Sequence, residues 1–189
     1  MIIGVDEVGR GCWAGPVCVG AVAMHPSLEG IVDDSKKLSF GQRQVIAQLI
    51  KEVTPVSLGW ASPSYIDKHG LTAALKYAAL QAIAGISGHV ATTTILLDGN
   101  SNYIGDPRVN TIIKGDAVEP VIAAASIVAK VARDQYMQVI GQTTFAGYGF
   151  ESHVGYGTSQ HRAALKLMGP SKIHRYSWAP LRGMNRVDN

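Results

Sequence analysis

The sequence is poor in cysteine and has no long hydrophobic run. Its two cysteines, Cys12 and Cys18, form no Cys-x-x-Cys pair, and two thiols cannot build the disulfide framework of a small secreted domain. No stretch approaches the ~18 uncharged apolar residues of a membrane span. The opening residues, MIIGVDE, have neither the basic region nor the apolar segment of a signal peptide. We therefore expect a cytoplasmic protein with reduced thiols and no membrane contact.

Charge is also scarce and nearly balanced. Charged residues make up 16% and hydrophobic residues 47% of the 189 residues, and the formal net charge is +3. This composition is typical of a globular chain, and the length suits one domain, residues 1–189. A mildly basic balance permits nucleic acid as a partner without requiring it.

Common nucleotide-binding and hydrolase motifs are missing or incomplete. The sequence has no G-x-x-x-x-G-K-[ST] and no G-x-S-x-G. Gly9, Gly11 and Gly15 follow a strand-like segment and resemble a dinucleotide-binding fingerprint, with an aspartate pair downstream. However, Pro16 leads into a second strand where the fingerprint needs a helix, so the anion site of a helix N-terminus is missing. The pattern argues against a dinucleotide cofactor.

Apolar strands alternate with amphipathic helices along the chain. Runs of small or β-branched residues at 2–6, 17–24, 56–60, 92–97 and 109–113 predict buried strands. Helices are predicted after Ser39, from Ser62-Pro63 through Ile83, from Pro120 to about Ile140, and from the Thr158 cap to Gly169-Pro170. This alternation predicts an α/β domain, a mixed central sheet flanked by helices, with a helical C-terminal part.

Four acidic residues stand at or just after the ends of predicted strands: Asp6, Glu7, Asp98 and Asp116. Strand ends are where α/β proteins assemble their sites. Each acid by itself is better explained as a solvated turn residue, but acids crowded together repel unless a cation lies between them. Carboxylate oxygens favour Mg²⁺ or Mn²⁺ over zinc. Two such ions ~3.5–4 Å apart can activate water and stabilise the leaving oxygen of a phosphodiester.

Several sequence blocks resemble, in order, those of type 2 ribonuclease H, the ribonuclease HII family. They are GVDEVGRGCWAGPV, DDSKKLS, LLDGN, KGD, AASIVAKVARD, HVGYGT and HRYSWAP. The resemblance extends from Gly4 to about Pro180. Several ungapped blocks in the same order are far more specific than any one motif.

The resemblance implies a ribonuclease H-like fold whose C-terminal part, about 145–189, closes over the substrate. It implies an endonuclease that cuts the RNA strand of RNA–DNA hybrids, and DNA duplexes at single embedded ribonucleotides. The cut lies 5′ of the ribonucleotide and leaves a 3′-hydroxyl, which serves ribonucleotide removal and primer clearance. The family's metal-site acids fall on the four acids named above, which would hold two Mg²⁺ or Mn²⁺ ions. A monomer is the simplest expectation.

The resemblance also assigns substrate contacts, to Gly9, Arg10, Gly11 and Tyr156. Glycine has no Cβ, so the backbone of a Gly-Arg-Gly turn can approach a sugar closely. Arg10 can brace a phosphate through charge-assisted hydrogen bonds. A simple tight turn and a surface ion pair remain open as structural alternatives. By resemblance, Tyr156 senses the sugar next to the ribonucleotide.

Basic residues form two candidate phosphate-positioning clusters. The clusters are Lys36, Lys37 and Arg43, and near the C-terminus Lys172, His174, Arg175, Arg182 and Arg186. Lys36 is predicted to bind substrate, with solvated surface charge as the alternative for these clusters. The histidines lack zinc-like spacing and are interpreted as polar or phosphate contacts, namely His153, His161 and His174.

Asp134 is a rival for the fourth metal ligand. It lies 18 residues beyond Asp116 along a predicted helix. At ~1.5 Å per residue that is roughly 27 Å, so the two cannot share one ion pair. Asp116 is preferred, and Asp134 is predicted to pair with Arg133 or a neighbouring basic residue. Ser126, one helical turn before Lys130, either faces the substrate or packs.

Two other functions share some of these sequence features. Another ribonuclease H-like nuclease, such as a junction resolvase or the type 1 enzyme, would also carry carboxylates but not a Gly-Arg-Gly turn with a downstream Gly-Tyr. A non-catalytic hybrid-binding module would keep basic residues and lose acids. All four acids are present, which argues against the binding module.

Overall fold

The computed structural model describes residues 1–32, 39–87 and 92–184. Their strands are β1 (Ile2–Val8), β2 (Val17–Ala23), β3 (Val56–Ala61), β4 (Thr94–Asp98) and β5 (Val109–Ile112). Their α-helices are α1 (Leu28–Val32), α2 (Phe40–Val53), α3 (Pro63–His69), α4 (Leu71–Ser87), α5 (Pro120–Gln142), α6 (Phe150–His153) and α7 (Ser159–Met168). None of these helices has the length and hydropathy needed to span a membrane.

The five strands form one mixed sheet in the order β3-β2-β1-β4-β5. The first three strands pair antiparallel, whereas β1 pairs parallel with β4, and β4 parallel with β5. The register of β1 on β4 runs from Ile2 opposite Thr94 to Val5 opposite Leu97. Parallel pairing puts the carboxyl ends of β1, β4 and β5 at the same edge. The predicted α/β fold with a mixed sheet is confirmed.

Helices cover both faces of this sheet. Side chains alternate between the two faces along each strand, and buried apolar side chains lie on both. Ile3 and Val5 belong to the core shared with α3 and α4, and the opposite face packs against α1, α2 and α5. A Cβ added to Gly4 would overlap the backbone of Val121, and one added to Gly20 would overlap the carbonyl of Ala125. Helix α5 therefore lies directly against β1 and β2.

Helix starts agree with the predicted caps. Ser39 forms a capping box with Gln42, and the side chains of Ser62 and Thr158 each accept a backbone hydrogen bond in the first turn of their helices. The single helix predicted to continue through Ile83 is wrong, because it is two helices. The break is at Gly70, whose φ of +82° lies in the left-handed region that favours glycine.

A third core joins the C-terminal part to the segment that follows β1. It contains Ala14, Met137, Phe145, Tyr148, Phe150, Val154, Ala164, Leu165, Ile173 and Leu181. The amide of Trp13 donates to the carbonyl of Gly155 at 2.8 Å, and the amide of Gly15 donates to the carbonyl of Ile173 at 2.9 Å. Residues far apart in sequence are thereby packed around the Gly-rich segment at the end of β1.

Candidate active site

Asp6 and Asp98 lie side by side at the carboxyl edge of the sheet. The β1–β4 register, continued by one residue, sets Asp6 against Asp98, the last residue of β4. Asp6 is buried, and its carboxylate accepts hydrogen bonds from the Ser126 hydroxyl on α5 and from the Glu7 amide at 2.7 Å. Burial, together with the charges of Glu7 and Asp98, raises the pKa of Asp6 from 3.8 to about 7.

Glu7 projects from the opposite face of β1, as the alternation of strand side chains requires. Its Oε1 accepts from Arg10 Nη1 at 2.7 Å, and its Oε2 accepts from the Tyr103 hydroxyl at 3.1 Å. Only 8% of the Glu7 side chain is exposed, against 57% of the Arg10 side chain. Glu7 is therefore held by two hydrogen-bond donors. Its negative charge raises the pKa of the neighbouring Asp6.

Asp116 lies in a short 3₁₀ turn, Gly115–Ala117, directly after β5. The turn starts at Lys114, which has a left-handed backbone conformation with a φ of +56°. The amide of Gly115 donates to Asp98 Oδ1 at 2.7 Å. This bond ties the turn that carries Asp116 to the end of β4, so Asp116 follows a residue in direct contact with Asp98.

The donor set consists of carboxylate oxygens, without cysteine or histidine among the four predicted ligands. Such a set fits a hard divalent cation. Among the residues that the structure describes, no three acidic, histidine or cysteine side chains already converge as a metal-binding group. Glu7 accepts hydrogen bonds from Arg10 and Tyr103, and Asp98 accepts one from the Gly115 amide.

A small cleft of about 100 Å³ opens beside these carboxylates. Arg10 and Asp98 line it together with Thr72, Leu75, Gly99, Asn100, Ser101 and Tyr103. The Gly-Arg-Gly turn, residues 9–11, forms one rim of the site. Its first residue, Gly9, has a φ of +91°.

Tyr156 lies beside Cys12, the residue that directly follows this turn. Its ring is part exposed, its hydroxyl donates to the Cys12 thiol, and Lys130 Nζ lies 5.8 Å from the ring centroid. Burial raises the pKa of Tyr156. Its backbone carbonyl accepts from His161 Nδ1 at 2.9 Å. Lys130 follows Ser126 by one turn of α5. Tyr156 therefore contacts α5 one turn beyond the point where Ser126 contacts Asp6.

Other predicted residues are placed as follows. Lys36 lies outside the described residues. Asp134 pairs with Lys130, 2.9 Å away, which confirms a basic neighbour as its partner. The three C-terminal histidines are buried and make polar contacts inside the protein, which confirms the polar part of their interpretation: His153, His161 and His174. The interpretation of Arg175 as a phosphate contact is wrong, because its side chain is completely buried.

Three residues have contacts at this site that the sequence does not predict. Ser126 belongs to a family-like block, yet its direction could not be chosen until α5 was seen against β1. Tyr103, which donates to Glu7, follows no motif that would have marked it. Arg175 was assigned to a surface cluster because its burial depends on distant carbonyls, a property that the local sequence does not reveal.

Comparison with known proteins identifies the family of the chain. The profile of Ribonuclease HII matches residues 3–181. The chain belongs to the ribonuclease HII family. A ribonuclease HII of Streptomyces avermitilis is 45% identical over 185 residues, which are 96% of this chain and 78% of that protein. That of Hyphomonas neptunium is 44% identical over 206 residues, covering 98% of this chain and 97% of that protein.

Solved structures show the same fold. The ribonuclease HII of Archaeoglobus fulgidus, determined in a complex with PCNA, superposes with a TM-score of 0.77 at 28% identity, covering 96% of this chain and 97% of that one. As a member of the ribonuclease HII family, the protein is a ribonuclease H, an endonuclease that hydrolyses the RNA of RNA–DNA hybrids. Enzymes of this family depend on metal ions.

Proposed function

We propose that this ribonuclease HII nicks its substrate on the 5′ side of a ribonucleotide, including a single one embedded in duplex DNA, and leaves a 3′-hydroxyl. The observation that carries the proposal is the parallel β1–β4 register, which brings Asp6 beside Asp98 next to the Gly-Arg-Gly turn. The role that follows is ribonucleotide removal and primer clearance.

Asp6, Glu7, Asp98 and Asp116 are the proposed ligands of two Mg²⁺ or Mn²⁺ ions. When bound, two such ions activate water and stabilise the leaving oxygen of the phosphodiester. Ser126 fixes the Asp6 carboxylate, and the Gly115 amide fixes that of Asp98. Glu7 would exchange its bond to Arg10 for the ion, which frees the Arg10 guanidinium to bind a substrate phosphate.

Substrate recognition is assigned to the elements on either side of these carboxylates. The Gly-Arg-Gly turn is proposed to approach the ribose, because Gly11 has open space where a Cβ would stand. Tyr156 is proposed to pack on the deoxyribose that follows the ribonucleotide. Lys36 is proposed as a phosphate contact on the strength of the family blocks alone. The two recognition elements are joined by the hydrogen bond from Trp13 to Gly155.

Residues 1–189 are proposed to act as one catalytic unit and as a monomer, with residues from about 145 onward closing over the duplex. The third core supports this arrangement, because Ala14 and Met137 pack there against the C-terminal helices. A mass measurement by light scattering, with and without duplex, tests the monomer. A stable dimer in both states would contradict it.

The deciding experiment uses a labelled DNA duplex with one ribonucleotide, incubated with Mg²⁺ or Mn²⁺, with and without chelator. We expect a single nick 5′ of the ribonucleotide that the chelator abolishes. Asp6→Asn and Asp98→Asn should abolish nicking and still bind the duplex, because other groups hold the phosphates. Asp106→Asn is the matched control, since Asp106 is an acid paired with Arg108 in the loop before β5. Near-normal nicking by either site variant, or cleavage of all-DNA duplex, would contradict the proposal.

A further inference from the structure

Among the residues that the structure describes, two arginines are completely buried, and both bind backbone carbonyls. Arg175 donates from Nε to Gly15 at 2.9 Å, from Nη1 to Arg10 at 2.9 Å and from Nη2 to Gly9 at 2.6 Å. Within the described part of the chain, no acidic side chain lies within ion-pair distance of the Arg175 guanidinium. Its flat face lies 5.0 Å from the ring centroid of Trp178. Burial lowers the pKa of Arg175 to about 10.

Burying a guanidinium without a counter-ion is costly, and apolar packing of the same volume is often as stable. The three carbonyls offset part of that cost, and they also point to what the arginine does. Two of them belong to the Gly-Arg-Gly turn, at Gly9 and Arg10. The cation therefore determines the direction of two consecutive peptide groups at the edge of the site.

The direction of those peptide groups follows from planar geometry. In a trans peptide the C=O and the following N–H point in opposite directions. Since the carbonyls of Gly9 and Arg10 point inwards to Arg175, the amides of Arg10 and Gly11 point away from it. Arg10 and Gly11 are exposed, and neither amide has an acceptor among the described residues. A Cβ placed on Gly11 would meet nothing within 4 Å.

We propose that Arg175 is a positioning residue for ribose recognition, which aims the amides of Arg10 and Gly11 at the sugar oxygens of the ribonucleotide. The inference rests on the proposed function and names the residue that enforces it. A hydroxyl at the 2′ position supplies an acceptor that deoxyribose lacks. A carbonyl bonded to a cation also polarises its own peptide, which strengthens the donor at the other end.

Arg133 offers a matched control inside the same protein. It is equally buried and also donates to three carbonyls, but those of Pro16, Val154 and Ala14, outside the turn. Arg133→Lys and Arg175→Lys each replace a planar fork that spans three acceptors by a single ammonium group. Both variants should lose thermal stability, whereas only Arg175→Lys should release the peptides at residues 9–11.

The test compares binding to two duplexes that differ by one 2′-hydroxyl, measured by fluorescence anisotropy in EDTA so that neither is cleaved. We expect the wild type and Arg133→Lys to prefer the ribonucleotide duplex. Arg175→Lys should bind both duplexes with dissociation constants equal within about twofold. Retention of the full preference by Arg175→Lys, or equal loss in both variants, would show a merely structural role. A wild type without any preference would also overturn the inference.

A second measurement needs only the wild type and therefore does not depend on a variant that folds. The amide resonances of Arg10 and Gly11 should shift when the ribonucleotide duplex is added, and much less with all-DNA duplex. Equal shifts with both duplexes would refute the inference. Nicking by the wild type in Mg²⁺, recorded alongside, separates the two proposals. If nicking occurs without selective amide shifts, ribose recognition by the turn and the role of Arg175 both fail, whereas absence of nicking contradicts the proposed endonuclease function.

Discussion

The hydroxyl of Ser126 donates a hydrogen bond to the carboxylate of Asp6 and so joins the middle of α5 to the end of β1. This contact is possible because Gly4 and Gly20 let the helix backbone approach the sheet. It orients a carboxylate that is buried beside two other acids. Ser126 would therefore act on metal binding through Asp6, without touching the substrate.

Ser126→Ala should raise the metal concentration needed for half-maximal nicking by about 10- to 100-fold, as expected when a hydrogen bond to a ligand is removed. Nicking at saturating metal should largely recover. Ser126→Thr, which keeps a hydroxyl, is the matched control and should stay closer to wild type. The measurement is a Mg²⁺ titration of the nicking rate. An unchanged midpoint in Ser126→Ala would show that this hydrogen bond does not support metal binding.

The two glycines of the Gly-Arg-Gly turn should respond differently to alanine. Gly11→Ala should fold normally, because its Cβ would enter open space, and should weaken binding of the ribonucleotide duplex. Gly9→Ala should be destabilised by about 1–3 kcal/mol, because a side chain at positive φ is strained and its Cβ would meet the buried Arg133. Thermal unfolding and duplex binding measure both effects. A loss of stability in Gly11→Ala would mean that the added methyl group meets other atoms of the folded protein.

Tyr156→Ala should lose most activity on a single embedded ribonucleotide and lose less on a long RNA–DNA hybrid. The reason is the proposed packing of the Tyr156 ring on the deoxyribose that follows the RNA–DNA junction. For comparison, the stacking of an aromatic side chain on a base contributes ~1–3 kcal/mol to binding. Tyr156→Phe keeps the ring and removes the hydroxyl bonded to Cys12, so it separates stacking from hydrogen bonding. The measurement is the ratio of cleavage rates on the two substrates. An equal slowing of both by a folded Tyr156→Ala would exclude junction sensing.

The buried histidines should make folding sensitive to mild acid. Burial lowers the pKa of His161 from 6.5 to about 4 and that of His174 to about 3, so both stay neutral in the folded state. In the unfolded chain they bind protons below about pH 6.5. Their contribution is therefore complete above that pH and is lost as the pH falls towards 4. Their contribution to the free energy of unfolding should decrease through this window, whereas the raised pKa of Asp6 acts in the opposite direction.

His161→Gln removes one of these titrations and should flatten the pH dependence, although it also lowers stability at neutral pH. His69→Gln, at an exposed position, is the control and should leave the slope unchanged. Denaturant unfolding at several pH values between 7.5 and 4.5 provides the measurement. A slope in His161→Gln identical to that of wild type would show that this histidine is protonated in the folded state.

Patterns that are local in the chain were readable from the sequence. Strand and helix alternation, the caps at Ser39, Ser62 and Thr158, and the acids at strand ends depend on neighbouring residues and their periodicity, and the structure agrees with them. The ordered blocks named the family, and the family profile confirmed it. The break at Gly70 was missed because the helical pattern continues across it.

The tertiary structure decided which way each side chain faces and which distant groups meet. Glu7 is bonded to Tyr103, 96 residues away, and Arg175 to the carbonyl of Gly9, 166 residues away. In the sequence, a basic residue near others predicts solvated surface, because burying a charge is costly. Arg175 is buried only because the folded turn aims carbonyls at it, and that arrangement exists only once both ends of the chain pack in the third core.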